Sequence, residues 1–296
     1  MLSFQELIIA IEIGIIYGIL ALGIYLTFRT INFPDLTCDG SFITGAAISA
    51  VLIKNGWNPY FGMVGAMIAG GIAGLATGIL NIKFKIDDLL SGIIVAFMLY
   101  SVNLRILGTN PNISLVAETT VFSLSNSLII SGLIVLVILL ILTCCLSSDW
   151  GLGLRSVGQN KQFSAANGVN VNLMIIFGLA ISNAFVGLSG AIFTQYQGFC
   201  DVSQGTGCLV IGLASVIIGE KLIPQKQFEK IKNLRIGLLN FLKIFNILTF
   251  CVLGSIIYRI FISIAINSDI LGLKTQDLNL ITGLLMIVIM RRNKKC

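Results

Sequence analysis

The chain has 296 residues; 56% are hydrophobic and only 11% charged, where ordinary soluble domains carry about a quarter charged residues. Its mean hydropathy is +0.97 and its formal net charge +6, with no histidine. So few charges cannot cover a soluble surface, which excludes a soluble enzyme, a disordered protein and a nucleic-acid binder, and the missing histidine excludes Ser–His nucleophile pairs, histidine zinc sites and histidine proton relays.

What remains is an all-α integral membrane protein. A spanning helix needs ~20 mostly apolar residues. Nine segments qualify in outline: 7–28, 40–53, 60–82, 88–107, 128–146, 173–196, 208–223, 245–266 and 278–290. The second and last are short, which suggests re-entrant, broken or tilted helices and puts the expectation at about 8–10 spans. No polar stretch approaches the ~50 residues of an appended domain, so 1–296 reads as a single transmembrane unit.

The first segment lacks a basic leader and carries Glu6 and Glu12, so it reads as a retained span, not a cleavable signal. Its Gly14 and Gly18 form a small-residue face. Residues 29–42 follow, with Asn32, Pro34, Asp35, Asp39 and Gly40. Pro34 removes a backbone donor and biases Phe33 away from helix. Irregular backbone at membrane depth must line a protein cavity. Two readings stay open: a substrate or gating element, or a cytoplasmic turn in which Asp35 caps the next helix.

Trp57 and Tyr60 sit at a segment boundary, as interfacial aromatics do. In the third segment Ala66, Gly70, Gly74 and Gly78 recur every four residues. Such a stripe lets two backbones approach closely in lipid, either as a moving interface or as static packing. The fourth segment adds Asn103 and Arg105, and the sixth Asn183, Gln195 and Gln197. Polar groups inside spans are costly unless they face protein or water. They are candidate lining residues, with interhelical bonding as the alternative.

Residues 149–172 form the longest polar loop without a run of like charges. Asn160 is placed as an N-cap and Gly168 as a C′ residue around a two-turn helix, Lys161 to Asn167. A helix this short is unstable alone. With Phe163 and Ala166 on one side and Ser164 and Ala165 beside them, it suits docking into a partner's groove, or else is a plain connection.

The loops set the expected orientation. Alternating sides back from Arg291, Arg292, Lys294 and Lys295 puts 15 of the 19 basic residues on one side, leaving Lys54 and Lys274 opposite and Arg105 and Arg259 inside segments. The positive-inside bias then gives an N-terminus outside and a C-terminus inside. The loop 221–243, with Pro224 and six basic residues, is the most basic and suits anionic lipid. None of the seven cysteines forms a C-x-x-C pair. They read as small buried apolar residues; Cys200 and Cys208 share a short loop and would bridge only in an oxidising space. There is no phosphate loop, so ATP-driven work needs a separate motor. No cofactor or metal ligand set is evident.

Asn32-Phe-Pro-Asp-Leu-Thr-Cys-Asp-Gly-Ser-Phe with Gly45-Ala-Ala resembles the early signature of permeases of the branched-chain amino-acid and ribose type. Gly153-Leu-Arg-Ser, Ala165-Ala-Asn-Gly-Val-Asn, Gly187-Leu-Ser-Gly-Ala and Gly212-Leu-Ala-Ser-Val-Ile-Ile-Gly-Glu fit the same family in order and spacing. The Phe-Pro-Asp-Leu-Thr form and Gln195-Tyr-Gln-Gly-Phe are similar to a subgroup labelled tryptophan/tyrosine permeases. The resemblance implies a polytopic helical permease of an ABC importer in a bacterial inner membrane. It also implies cytoplasmic ATPase subunits, an extracytoplasmic binding protein and a second permease copy or paralogue. Asn160, Lys161, Phe163, Ala165, Ala166 and Gly168 would belong to the helix that contacts the ATPase, and Asn32, Asp35, Asp39, Asn103, Asn183, Gln195 and Gln197 are the candidates for pathway and gate. The rival is an ion-coupled secondary transporter. It needs an ion site within the spans, where Glu12 is the only acid deep in a strongly apolar segment.

Overall fold

The computed structural model describes residues 3–108, 110–123, 126–223 and 237–266, together with 280, 282, 283 and 287; the side chains of 237–240 are outside the description. The segment at 278–290 and the basic loop 221–243 therefore lie largely outside the described residues. Within them the chain is helical apart from one small strand pair.

The first helix, α1 (Phe4–Ile24), starts on a capping box between Ser3 and Glu6 and runs into a π-helical turn at Tyr25–Ile31. Then come α2 (Thr37–Lys54), α3 (Pro59–Lys83), α4 (Asp88–Leu107), strand β1 (Asn112–Ser114) and α5 (Ser127–Ser147). Two short helices, α6 (Asp149–Gln159) and α7 (Lys161–Ala166), precede α8 (Val171–Gln197). Strand β2 (Phe199–Asp201), α9 (Cys208–Leu222) and α10 (Gly237–Ile266) complete the described chain. Among the described residues, seven stretches are long and apolar enough to cross a membrane.

Helix α2, which sequence alone marks as short and weakly apolar, is not among them. It packs on α3, α4 and α8, and Ser41, Phe42, Ala46, Ala47, Ser49 and Ala50 are buried. A helix wrapped by protein has no need of a lipid-compatible surface, so its composition is small and hydroxylic instead.

Both glycine stripes are packing seams between long helices. In α3, the position a Cβ would occupy at Gly70 is 2.2 Å from the Asn183 carbonyl oxygen, and at Gly74 2.2 Å from that of Leu179. Ala66 faces Gly187 and Gly78 faces Ile176 on the same helix, α8. Gly14 and Gly18 of α1 lie against Ile256 and Val252 of α10. Hydroxyls add to this packing: Ser255 Oγ donates to the Gly14 carbonyl at 2.7 Å in the α1–α10 seam, and Ser182 and Ser189 tie α8 to α1 by donating to the Gly23 and Ile16 carbonyls at 2.6 and 3.0 Å.

Helix α6 departs from the loop expected at 149–172. Gly151, Gly153 and Gly158 lower its intrinsic propensity. At two of them neighbours come too close for a side chain: a Cβ at Gly151 would lie 2.4 Å from Leu146 Cα, and one at Gly158 1.9 Å from the Thr30 carbonyl oxygen. Cys200 and Cys208 are free and buried, so the bridge weighed from sequence is absent. Burial pushes the Cys200 thiol up to about 12, far from a reactive thiolate.

Candidate functional site

The break predicted at 29–42 is real, and it sits inside the protein. The π turn ends at Asn32, whose φ of 59° and ψ of 47° are left-handed, a conformation asparagine tolerates better than most residues. Asn32 itself is exposed. Phe33 and Asp35 are 1% and 0% exposed, so the break is buried, and Asp35 also meets the first N–H of α2, as the capping reading expects.

Asp35 accepts from the Thr37 backbone N–H at 2.8 Å and from Asn183 Nδ2 at 2.6 Å. Asn183 also donates to the Leu179 carbonyl at 3.0 Å and accepts from Ser41 Oγ at 2.7 Å. Thr37 and Thr77 share a hydroxyl hydrogen bond at 2.7 Å. These residues thus bind the break to α2, α3 and α8. Asp35 and Asn183, candidates for the pathway lining, are fully buried and hydrogen-bonded to each other.

Gln195 is likewise a tie. Its Nε2 donates to Ser49 Oγ at 3.0 Å and to the Pro59 carbonyl at 3.2 Å, and its Oε1 accepts from the Val121 N–H at 3.2 Å. Gln197 is exposed and accepts from Gln204 Nε2 at 3.2 Å. Arg105 is exposed near the end of α4. Glu12 is 6% exposed and accepts from Tyr196 Oη at 2.7 Å and from Ser127 Oγ. Hydroxyl donors from α5 and α8 thus satisfy the one acid on which an ion-coupled mechanism would rest.

Asp39 and Asn103 are brought together. Strand β2 pairs antiparallel with β1, Cys200 opposite Ile113, and this pair packs over Ala46, Ala47, Ala50 and Ile53 near the Lys54 end of α2. From there the chain descends along α2. A Cβ at Gly205 would be 2.5 Å from the Asp39 carbonyl oxygen, so the descent covers about two turns of α2, or ~10 Å. Helix α9 therefore begins inside the bundle, about 22 Å along α2 from Lys54. Its first N–H groups find Asp39: Oδ1 accepts from Leu209 at 2.8 Å and Oδ2 from Gly207 at 3.2 Å. A carboxylate at a helix N-terminus meets both the orphan donors and the positive end of the dipole.

Beside Asp39 lies a cavity of about 120 Å³ lined by Gly40, Tyr100, Asn103, Gly205 and Thr206 among others. Sequence reasoning picked out Asp39 and Asn103 but missed the descending segment, whose only visible trace is Gly205-Thr-Gly before an apolar run.

At the opposite end of the bundle from Lys54, Asn160 caps α7 as expected: its Oδ1 accepts from the Phe163 N–H at 3.0 Å, and Gly168 has a φ of 82°. Phe163 is 66% exposed, and Lys161, Ala165 and Ala166 are exposed with it. Ser164, which sequence placed on the docking side, instead points inward and bonds Ser156 Oγ at 3.1 Å. Lys161 pairs with Asp88 at 3.7 Å. Helix α6 then carries α7 onto the π turn through the Gly158–Thr30 contact. Arg29 in that turn pairs with Glu220 of α9 at 2.5 Å.

Residues 7–290 match the family described as the permease component of branched-chain amino acid transport systems. The chain is 40% identical over 275 residues to a tyrosine transport system permease protein of Clostridioides difficile, covering 93% of this chain and 86% of the relative. It is 27% identical over 224 residues to a probable branched-chain amino acid transport permease protein of Methanocaldococcus jannaschii, covering 68% and 70%. It is 25% identical over 225 residues to a permease protein of the autoinducer 2 import system of an Enterobacter species, covering 74% and 64%. No solved structure matches it significantly.

Proposed function

The chain belongs to the family of permease components of branched-chain amino acid transport systems, and on that premise we propose how it works. It is a multi-pass membrane permease of an ABC importer for an amino-acid-like solute. The name of its Clostridioides difficile relative favours an aromatic one. It lies in a bacterial inner membrane, its N-terminus outside and its C-terminus inside, and pairs with a second permease copy or a paralogue. An extracytoplasmic binding protein delivers solute, and cytoplasmic ATPase subunits supply the work. Lipid covers its outer faces, where Ile68, Ile72, Phe97 and Leu133 are exposed.

The observation that carries the mechanism is the start of α9 inside the bundle beside Asp39. Half-helices and irregular backbone within a membrane protein belong where a cavity or route is lined. Asp39 and Asn103 line that route. Asp35, Asn183 and Gln195 hold its walls, and Asn32 ends the turn that lets the break flex. Asn160, Lys161, Phe163, Ala165, Ala166 and Gly168 form the coupling element. ATPase closure pushes α7, α6 passes the displacement to Thr30, and the break and α9 shift against α2, which alternates access by rigid bodies.

Asp39→Ala tests the route. The lost cap costs about 1 kcal/mol, which a bundle this extensively packed absorbs, so the variant inserts normally while solute uptake drops at least about tenfold. Wild-type uptake would remove Asp39 from the mechanism. Orientation is tested with Asn55→Cys and Asn167→Cys, both at exposed positions. An impermeant maleimide should label the first from outside the cell and the second only from the cytoplasmic side. Labelling of both from one side would overturn the topology.

A further inference from the structure

We propose that the cavity between the start of α2, α4 and the segment before α9 binds a protonated amine, with Asn103 Oδ1 and Asp39 as its acceptors. The inference rests on reading the chain as a permease for amino-acid-like solutes, and identifies the group that this site recognises as the solute's ammonium.

Asn103 is 1% exposed. Its Nδ2 donates to the Gly40 carbonyl at 3.3 Å. A carbonyl can only accept, so this contact fixes which end of the amide is the oxygen. Oδ1 is buried without a hydrogen-bond partner, on a side chain that lines the cavity. Such an oxygen calls for a donor.

Asp39 adds charge. Each of its oxygens takes one backbone N–H, which leaves further acceptor capacity on both. No lysine or arginine lines the cavity. The hydroxyl of Thr206 is spent on the Ser203 carbonyl at 2.7 Å, so the side-chain donors left on the lining are the neutral Tyr100 hydroxyl and the second hydrogen of Asn103 Nδ2. The lining therefore carries a negative charge, an unpaired acceptor and no cationic donor, which repels carboxylates and phosphates and suits an occupant that brings its own N–H groups.

A metal ion fits less well. Hard cations need about six or more oxygens. The Gly40 carbonyl already serves two donors, and the described residues hold no cluster of three metal-ligating side chains. An ammonium needs only hydrogen bonds, and Tyr100, 56% exposed on the lining, adds an aromatic face that cations favour.

The test uses the full-length permease in liposomes with Thr206→Cys, an exposed position on the cavity lining. Alkylation of that cysteine is followed by peptide mass spectrometry. Methylammonium chloride and tyrosine methyl ester should slow it at least threefold. Sodium chloride and potassium chloride at equal ionic strength should not, nor should N-acetyltyrosine. Asn103→Leu should abolish the protection, and Asp39→Asn, which keeps the shape of the cap, should weaken it. Absence of protection by any amine, equal protection by sodium, or protection that survives Asn103→Leu would overturn the proposal. Should Asn103→Leu not fold, the comparison of amine with sodium in the Thr206→Cys protein decides. Uptake lost with protection intact counts against the transport reading alone; protection absent with uptake intact counts against this site alone.

Discussion

Ala166→Arg should leave the permease inserted and paired but deprive it of its ATPase and of ATP-driven uptake. Ala166 is exposed at the end of α7, next to an exposed Phe163, so an arginine there meets nothing within the chain. The inward side of α7 is untouched, because Ser164 bonds Ser156 and the Asn160 carbonyl and Lys161 pairs with Asp88. In a groove shaped for a methyl group and a phenyl ring, a long cation costs about 2 kcal/mol or more, roughly 30-fold in affinity. Co-purification of the ATPase and solute uptake in cells both read the effect. Wild-type values in both would remove α7 as the coupling element. Uptake lost with the ATPase still bound would place its role in transmission instead.

Asn183→Leu should be the most destabilising single change near the site. The substitution has nearly the right volume, so the damage is polar, not steric. It removes the donor to Asp35, the acceptor of Ser41 and the bond to Leu179, all at full burial. Depriving a buried carboxyl of its side-chain amide donor, with only the Thr37 N–H and the weak Cys38 thiol left to it, and a buried hydroxyl of its acceptor costs ~3 kcal/mol or more. The purified permease should melt roughly 5–10 °C lower, with reduced yield. Asp35→Asn in the same background should recover part of the loss, because it removes the charge left unpaired. An unchanged melting temperature for Asn183→Leu would show that the Asp35–Asn183 pair does not hold the break in place.

The difference between these two predictions follows what was legible in the chain. Helix α7 was readable almost to the residue, because its signals are local: a capping asparagine, a glycine at positive φ, and a run too short to stand alone. The break at Pro34 was readable for the same reason, since a proline acts on its own backbone and on the residue before it. The orphaned Asn103 stood out because polar residues are rare in spans.

The roles of Asp35, Asn183 and Gln195 were not readable, because a polar residue in a span looks the same whether it faces water or a partner 142 or 148 positions away. Helix α6 was missed because its three glycines argue against helix locally, and the Thr30 carbonyl that requires one of them, Gly158, comes from a distant part of the chain.

Composition and loop charge by themselves determined that this protein lies in a membrane, that it crosses many times, and that it carries a broken element early and a short capped helix late. These follow from hydrophobic length and local backbone chemistry, which need no knowledge of neighbours. Only the tertiary structure decided which polar residues are tied to one another and which border a cavity, that α2 is packed among α3, α4 and α8, and that α9 begins inside the bundle against Asp39. The physical reason is that burial and hydrogen-bond satisfaction are properties of pairs of segments. Until α2, α4 and the chain before α9 are packed together, neither the cavity nor the unpaired oxygen of Asn103 exists.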